Sequence, residues 1–289
     1  MVKPPRSFDI LGNIAVVKFS REFKQAEKKK YAKELLGKNK SITTILEKTG
    51  KISGRLRKPT TKWVAGKKTK EVLYRENNCV FRFDIDKTYF SPRLSNERKE
   101  IASEIKKGEE VLVMFAGVAP FSIVVAKNSK AKKVYSNEIN REANKYAKLN
   151  VELNKVKDKV ILLDGDIKKI AEKLSVESRC PSEALKRHRL LEQEKKVEEN
   201  RLGCLQFDVI VMPRPQLKET FLKQAFQLSK RGTRVYYYDF CGAEETQIIV
   251  GKIKAEAKKF RKKIKILKTK KAGEVAPYKI RVRVDFEVL

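Results

Sequence analysis

Apolar positions in the first hundred residues fall in short groups separated by polar turns. Phe8 to Phe19 reads as a strand pattern interrupted by a Gly-Asn turn, and Arg21 to Lys38 as a basic helix that Gly37 can end. The segments SITTILEKT, KWVAG, EVLYREN and CVFRFDIDKTYF are short strand candidates. Ser91 to Glu109 reads as a helix capped by Ser91, with Pro92 in its first turn. From Glu110 the pattern changes. Nearly continuous apolar runs (VLVMFAG, KVYSNEI, KVILLDGD, FDVIVMPRP, TRVYYYDF) alternate with helical ones (FSIVVAKN, NREANKYAKLNVELNK, IKKIAEKL, KETFLKQAFQLSK, EETQIIVGKIKAEAKKF). Strands with so little polar relief, separated by helices, predict a mostly parallel sheet covered on both faces. Two alternating strands, Lys263 to Lys270 and Tyr278 to Val288, then follow without a helix between them and predict an antiparallel edge pair. The expected fold class is α/β, with a small α/β domain over 1–90 and a larger doubly wound domain over 91–289. A charged insertion at about 175–205 is expected to be a solvated surface helix, with direct RNA contact as its alternative.

Composition narrows the function. No stretch approaches the roughly 18–20 apolar residues of a membrane span, and the charged start MVKPPRSFDIL lacks the core of a signal peptide, so a cytoplasmic, non-membrane protein is expected. The four cysteines, Cys79, Cys180, Cys204 and Cys241, form no CxxC pair, and His188 is the lone imidazole; neither a metal site nor a disulfide framework is predicted. Lys and Arg number 68 against 36 Asp and Glu, a net charge of +32. Such an excess suits a polyanion, because neutralising phosphates releases condensed counterions. Adaptation to heat enriches both signs together and explains the charged content better than the excess. A generally solvated lysine-rich surface is the alternative to nucleic acid.

Val111 to Ile123, VLVMFAGVAPFSI, occupies the first strand, turn and helix of the parallel sheet. Gly117 falls where the backbone has to pass close to a ligand, and Pro120 suits the first turn of a helix. The match to GxGxxG is poor, which disfavours a dinucleotide. Glu138 ends the second strand, where a carboxylate can hold two ribose hydroxyls. Asp166 follows the third, where an acid or its backbone can meet an adenine edge. Each could equally be a helix cap or turn former.

Four segments together carry a resemblance: YFSPRLSNERKEIA (Tyr89 to Ala102), MFAGVAPFSI (Met114 to Ile123), NEINREANKYAKLNVELNKV (Asn137 to Val156) and VAPY (Val275 to Tyr278). They resemble the archaeal and eukaryotic tRNA guanine-37 N1-methyltransferase family over nearly the whole chain. The resemblance implies a Rossmann-like class I methyltransferase domain that uses S-adenosylmethionine, preceded by a small domain that helps hold tRNA. It implies cofactor contacts at Arg98, Phe115, Gly117, Glu138, Ile139, Asp166, Ile167 and Pro213. It also implies catalytic roles for Glu97 as base, Arg57 in GRLRKP facing guanine O6, and Tyr89 at the target base. The base is needed because guanine N1 carries a proton, and the cation because charge then spreads onto O6. Without the motif, Glu97 would read as an exposed helix acid and Arg57 as a phosphate contact.

Several positions depart from the family pattern. Val113 stands where an acid usually precedes the MFAGVGPF element, and Ala119 replaces the final Gly of that element. Phe8 to Phe19 resembles a segment that follows the tRNA-elbow domain, so that domain is expected to be absent. Pro213 in MPRP occupies the place of an Asn that reads the base edge, and a proline offers only a carbonyl acceptor. A pocket with that looser contact suits a second substrate, and the resemblance extends to archaeal members that also methylate carbon 7 of 4-demethylwyosine. The expected activity is methylation of guanosine-37 N1 in the anticodon loop, with this second reaction in wyosine biosynthesis, by a monomer. Another RNA base methyltransferase and a non-catalytic RNA-binding protein of the same fold are the rival readings.

Overall fold

The computed structural model describes residues 5, 7–50, 59–176, 205–213 and 219–289. The helix expected in the insertion, Arg57, Cys180, Cys204 and His188 lie outside the described residues. The chain divides into two compact units, one of Met1–Ile105, Ala116–Ser129 and Asn140–Leu162, the other of Lys106–Phe115, Lys130–Ile139 and Leu163–Leu289.

In the first unit, β1 (Phe8–Leu11) and β2 (Ile14–Val17) form the expected hairpin around Gly12 and Asn13. Gly12 has φ +56, and a Cβ there would lie 1.9 Å from the carbonyl oxygen of Leu73, so no side chain fits. Asn13 fastens the same turn by accepting the Leu73 N–H through Oδ1 at 2.7 Å. The helix α1 (Gln25–Lys38) then crosses to β3 (Thr44–Lys48), which pairs parallel with β2 and antiparallel with β4 (Thr61–Gly66). A parallel pair needs such a crossover. Ala15, Val17, Ala32, Leu35, Ile42, Ile45 and Val64 form the core between this helix and sheet. Gly37 does not end α1; Asn39 does, donating its N–H to Leu36 O and its amide to Leu35 O at 3.0 Å.

Next, β5 (Glu71–Glu76) and β6 (Cys79–Asp84) pair through a two-residue turn with both residues, Asn77 and Asn78, at positive φ, as a type I′ hairpin requires. Cys79 is 1% exposed and burial pushes its thiol up to about 11, in keeping with a core cysteine. The outer edge of β6 is closed by a helix instead of a strand. On α4 (Arg141–Leu153) and its C-cap, Asn150 accepts Arg82 N–H (2.7 Å) and donates to Arg82 O (3.1 Å), while Asn154 accepts Val80 N–H (2.8 Å) and donates to Val80 O (2.7 Å). Residues four apart on the helix thus meet residues two apart on the strand. Each edge group left unpaired would cost on the order of 1–3 kcal/mol.

The expected helix from Ser91 to Glu109 is shorter. Pro92–Leu94 is a 3₁₀ turn and α2 spans Ser95–Glu104; Ser91 makes no side-chain cap bond. Beyond it, Glu109 Oε2 accepts Lys106 N–H at 2.7 Å and Gly108 takes φ +85, which turns the chain into the next strand. A further helix, α3 (Pro120–Asn128), completes this unit.

A seven-stranded sheet runs in the order β12-β13-β11-β10-β7-β8-β9. Its strands are β7 (Glu110–Val113), β8 (Lys133–Glu138), β9 (Val160–Asp164), β10 (Phe207–Met212), β11 (Ser229–Gly242), β12 (Ile264–Ala276) and β13 (Lys279–Val288). β7 pairs parallel with β8 and β10, and β10 with β11; β13 lies antiparallel between β11 and β12. Val111, Leu112, Val113, Val209, Ile210 and Val211 are fully buried, which accounts for their unbroken apolar runs. With α5 (Ile167–Val176) and α7 (Thr246–Lys259) in their expected places, the mostly parallel α/β sheet with an antiparallel C-terminal pair is the observed class. KETFLKQAFQLSK is not one long helix. α6 covers Leu222–Gln227 only, and Ser229 already pairs with Phe207 while Thr233 Oγ1 donates to Phe207 O at 2.6 Å. Strand pairing overrides the helical pattern at that end.

Candidate active site

The second unit presents the carboxyl ends of its parallel strands, the edge where sheets of this kind hold ligands. After β7, Phe115, Gly117 and Ala119 all have positive φ (57°, 61° and 66°), so the chain folds back on itself before α3. For Phe115 and Ala119 this left-handed conformation costs about 1–2 kcal/mol each. The turn is therefore held by its surroundings. Part of that hold is aromatic: the Phe115 ring meets the Phe221 ring edge-on at 5.1 Å, and Lys168 Nζ lies 5.5 Å from the Phe221 centroid while pairing with Glu219 at 2.6 Å. Phe221 and Lys168 were not anticipated from the sequence; nothing local to either residue signals this cluster.

Glu138 closes β8 at 9% exposure, with the Ile139 N–H donating to its Oε1 at 2.9 Å. The Gly165 N–H donates to Glu138 O at 2.8 Å, so the turns after the second and third strands are joined. Asn137, 1% exposed, strengthens that join by donating to Leu163 O (2.9 Å) and Gly165 O (3.0 Å). Asp166 begins α5, accepting the Lys168 N–H at 3.0 Å, and Ile167 beside it is 2% exposed. The structure thus brings Glu138, Ile139, Asp166 and Ile167 onto two adjoining turns. Pro213 follows β10 and is half-buried. A carboxylate suited to a ribose diol, flanked by isoleucines suited to an adenine face, fits the nucleoside end of S-adenosylmethionine.

Glu97 and Tyr89, both expected at the acceptor, lie in the first unit. Glu97 sits in the first turn of α2 at 5% exposure, which removes the reading of an exposed helix acid. Arg98 is 1% exposed and spent on Glu76: its Nε and Nη2 both donate to that carboxylate, Nη2 at 2.6 Å, and Nη2 also donates to Ser91 O at 3.1 Å. Its guanidinium carbon lies 5.2 Å from the Phe90 ring centre and 5.5 Å from that of Phe121. Asn77 bonds Ser95 O at 3.0 Å, so Glu76 and Asn77, at the tip of the β5–β6 hairpin, together set the place of α2. Half-buried Tyr89 turns its carbonyl toward Gly117; a Cβ there would lie 3.3 Å from Tyr89 O. The need for glycine at 117 thus arises from protein backbone as well as from its positive φ.

A family model described as the TRM5/TYW2 methyltransferase domain matches residues 72–201, and one described as the TYW2 N-terminal domain matches residues 1–69. The tRNA (guanine(37)-N(1))/4-demethylwyosine(37)-methyltransferase Taw22 of Nanoarchaeum equitans is 34% identical over an alignment that covers 98% of this chain and 100% of that protein. The crystal structure of Trm5b from Pyrococcus abyssi superposes with a TM-score of 0.77 at 31% identity, covering 98% of this chain and 75% of that one. TYW2 of P. horikoshii in complex with MeSAdo has the same fold, with a TM-score of 0.74 at 21% identity over 99% of this chain and 91% of that one. With a relative matched from end to end and the strand-end turns in place, this chain belongs to the TRM5/TYW2 methyltransferase family.

Proposed function

We propose that the protein is an S-adenosylmethionine-dependent tRNA methyltransferase acting at position 37 of the anticodon loop. Its reactions are methylation of guanosine N1 and methylation of carbon 7 of 4-demethylwyosine. The observation that carries this reading is the end-to-end likeness to the N. equitans relative, whose name gives guanine-37 N1 and 4-demethylwyosine-37 as its targets. We assign residues 1–90 to an accessory RNA-binding domain and 91–289 to the methyltransferase domain.

When bound, S-adenosylmethionine supplies the methyl group. Glu138 holds the ribose hydroxyls, Ile139 and Ile167 the adenine, and the Phe115–Ala119 turn the methionine end. Glu97 takes the N1 proton and so exposes a lone pair able to attack. Arg57 stabilises the charge that moves to O6, and Tyr89 keeps the target base in place. Pro213, with only a carbonyl to offer the base edge, admits the tricyclic base as well as guanine. A loop nucleotide leaves its stack at modest cost, so the base can be turned outward to meet these groups.

Mass-spectrometric mapping of methylated tRNA tests the reading on two substrates, unmodified guanosine-37 and the tricyclic base. Methyl on both is expected; methyl at another nucleotide refutes the site, and failure on the tricyclic base alone removes the second reaction. The +32 charge further predicts that tRNA binding weakens steeply with salt, with a log–log slope of several units. A flat response would contradict contact with many phosphates.

Asn137→Ala removes the donor shared by Leu163 O and Gly165 O, at a cost of roughly 1–3 kcal/mol. Loosening both turns should weaken S-adenosylhomocysteine binding by about tenfold, measured by calorimetry, with tRNA affinity kept. Unchanged binding of the nucleoside would show that the join does not position the site.

A further inference from the structure

The turn between β12 and β13 holds a feature that neither the cofactor turns nor the assigned acceptor residues use. Pro277 and Tyr278 connect the two strands, with Ala276 paired to Lys279. Tyr278 is 91% exposed and has φ +59. That backbone conformation is cheap for Gly and tolerable for Asn, but unusual for a bulky residue. The turn is not loose, since the Ala243 N–H donates to Tyr278 O at 3.2 Å and Gly242 pairs with Lys279. A ring is therefore held out in solvent at a position where a smaller residue would serve the turn better.

Charge of both signs lies along the hairpin and at its turn: five lysines between residues 263 and 271, along β12 and just before it, Glu274, which pairs with Lys271, and Glu244 and Glu245, which follow Ala243. Lys279 is exposed beside the ring, its Nζ lying 5.9 Å from the Phe240 ring centre. Lysines on an edge strand also discourage sheet-to-sheet pairing. That role accounts for the charges and leaves the tyrosine unexplained. Position matters too: β12 runs parallel to β11, since both lie antiparallel to β13, so the turn emerges on the sheet edge that carries Glu138 and Pro213.

An exposed aromatic ring with a cation next to it is a surface that single-stranded nucleic acid uses, a base stacking on the ring and a phosphate meeting the cation. We propose that Tyr278 is an RNA-stacking residue, its ring receiving an unpaired base of the tRNA while Lys279 meets a neighbouring phosphate. This rests on the assignment of tRNA as substrate.

The test compares Tyr278→Gly and Tyr278→Phe with the parent by fluorescence anisotropy, using a labelled tRNA transcript carrying guanosine-37. Tyr278→Gly should raise the RNA Kd by roughly 5- to 100-fold, and Tyr278→Phe by no more than about twofold, because the π-face is kept. Glycine also relieves the left-handed backbone, so Tm should hold or rise, and S-adenosylhomocysteine affinity should not move. Equal RNA binding by parent and Tyr278→Gly overturns the proposal alone; a parent that binds no tRNA overturns the proposal together with the functional reading. An altered sedimentation coefficient of free Tyr278→Gly with RNA affinity unmoved assigns the ring to a protein contact and likewise overturns it. Equal losses in the Phe and Gly variants would point to the hydroxyl and refute stacking.

Discussion

Glu97→Gln is expected to slow methyl transfer to guanosine-37 by roughly 10²–10⁴-fold at saturating substrates. Gln keeps the size of the side chain and a hydrogen-bonding oxygen, so the place in α2, buried to 5% exposure, should be preserved. What it loses is the ability to take a proton. S-adenosylhomocysteine and tRNA affinities should stay near those of the parent, which separates lost chemistry from lost binding. A second signature is the pH profile: without its own base, the enzyme must draw on deprotonation in bulk solution, and the residual rate of the variant should climb as pH rises. Parent-like single-turnover rates would remove Glu97 from the mechanism.

Glu76→Ala should cost more stability than any other substitution named here. It leaves the Arg98 guanidinium, 1% exposed, buried without its carboxylate, and breaking such a pair from one side costs about 3–5 kcal/mol. For a chain of this size the Tm should fall on the order of 10 °C. Removing both charges, as in Glu76→Leu with Arg98→Met, should recover most of that loss, since no stranded ion remains. Activity supplies the second readout. Because Arg98 is the neighbour of Glu97 on α2, the restored double variant should melt near the parent yet retain a lowered kcat if the ion pair also sets the position of the base. A single variant as stable as the parent would contradict the burial of this pair.

The parallel sheet was legible because its strands are buried on both faces, and an uninterrupted apolar run such as Val111 to Val113 suits a strand that meets water on neither side. Segment ends were less legible. Gly37 looked like a helix stop, but Asn39 bonds the last carbonyls; Ser91 looked like a cap, but the chain first makes a 3₁₀ turn through Pro92–Leu94. The acidic strand ends at Glu138 and Asp166 stood out by position, but position alone left each open to a cap or turn role, and Asp166 does cap α5. Glu97 was different. Its spacing suggested an exposed acid, and only the surrounding motif marked it as chemistry. Glu76, Asn77 and Asn137 escaped notice because their work is tertiary: Glu76 acts on a residue 22 positions away, and Asn137 on carbonyls 26 and 28 positions away. No local pattern encodes such a partner. The paired asparagines at 150 and 154 carry a faint signal, since buried amides at helical spacing on an apolar face demand polar partners.

The order of strands in the large sheet has a consequence for how the chain matures. β13 is made after both of its neighbours, yet it lies between them. While the polypeptide leaves the ribosome, β11 shows a bare backbone edge and β12 has no neighbouring strand to pair with until the later strand inserts. Closure of the sheet is therefore a late event that draws together segments already synthesised, and the interval before it is when the nascent protein most needs shielding from association with other chains.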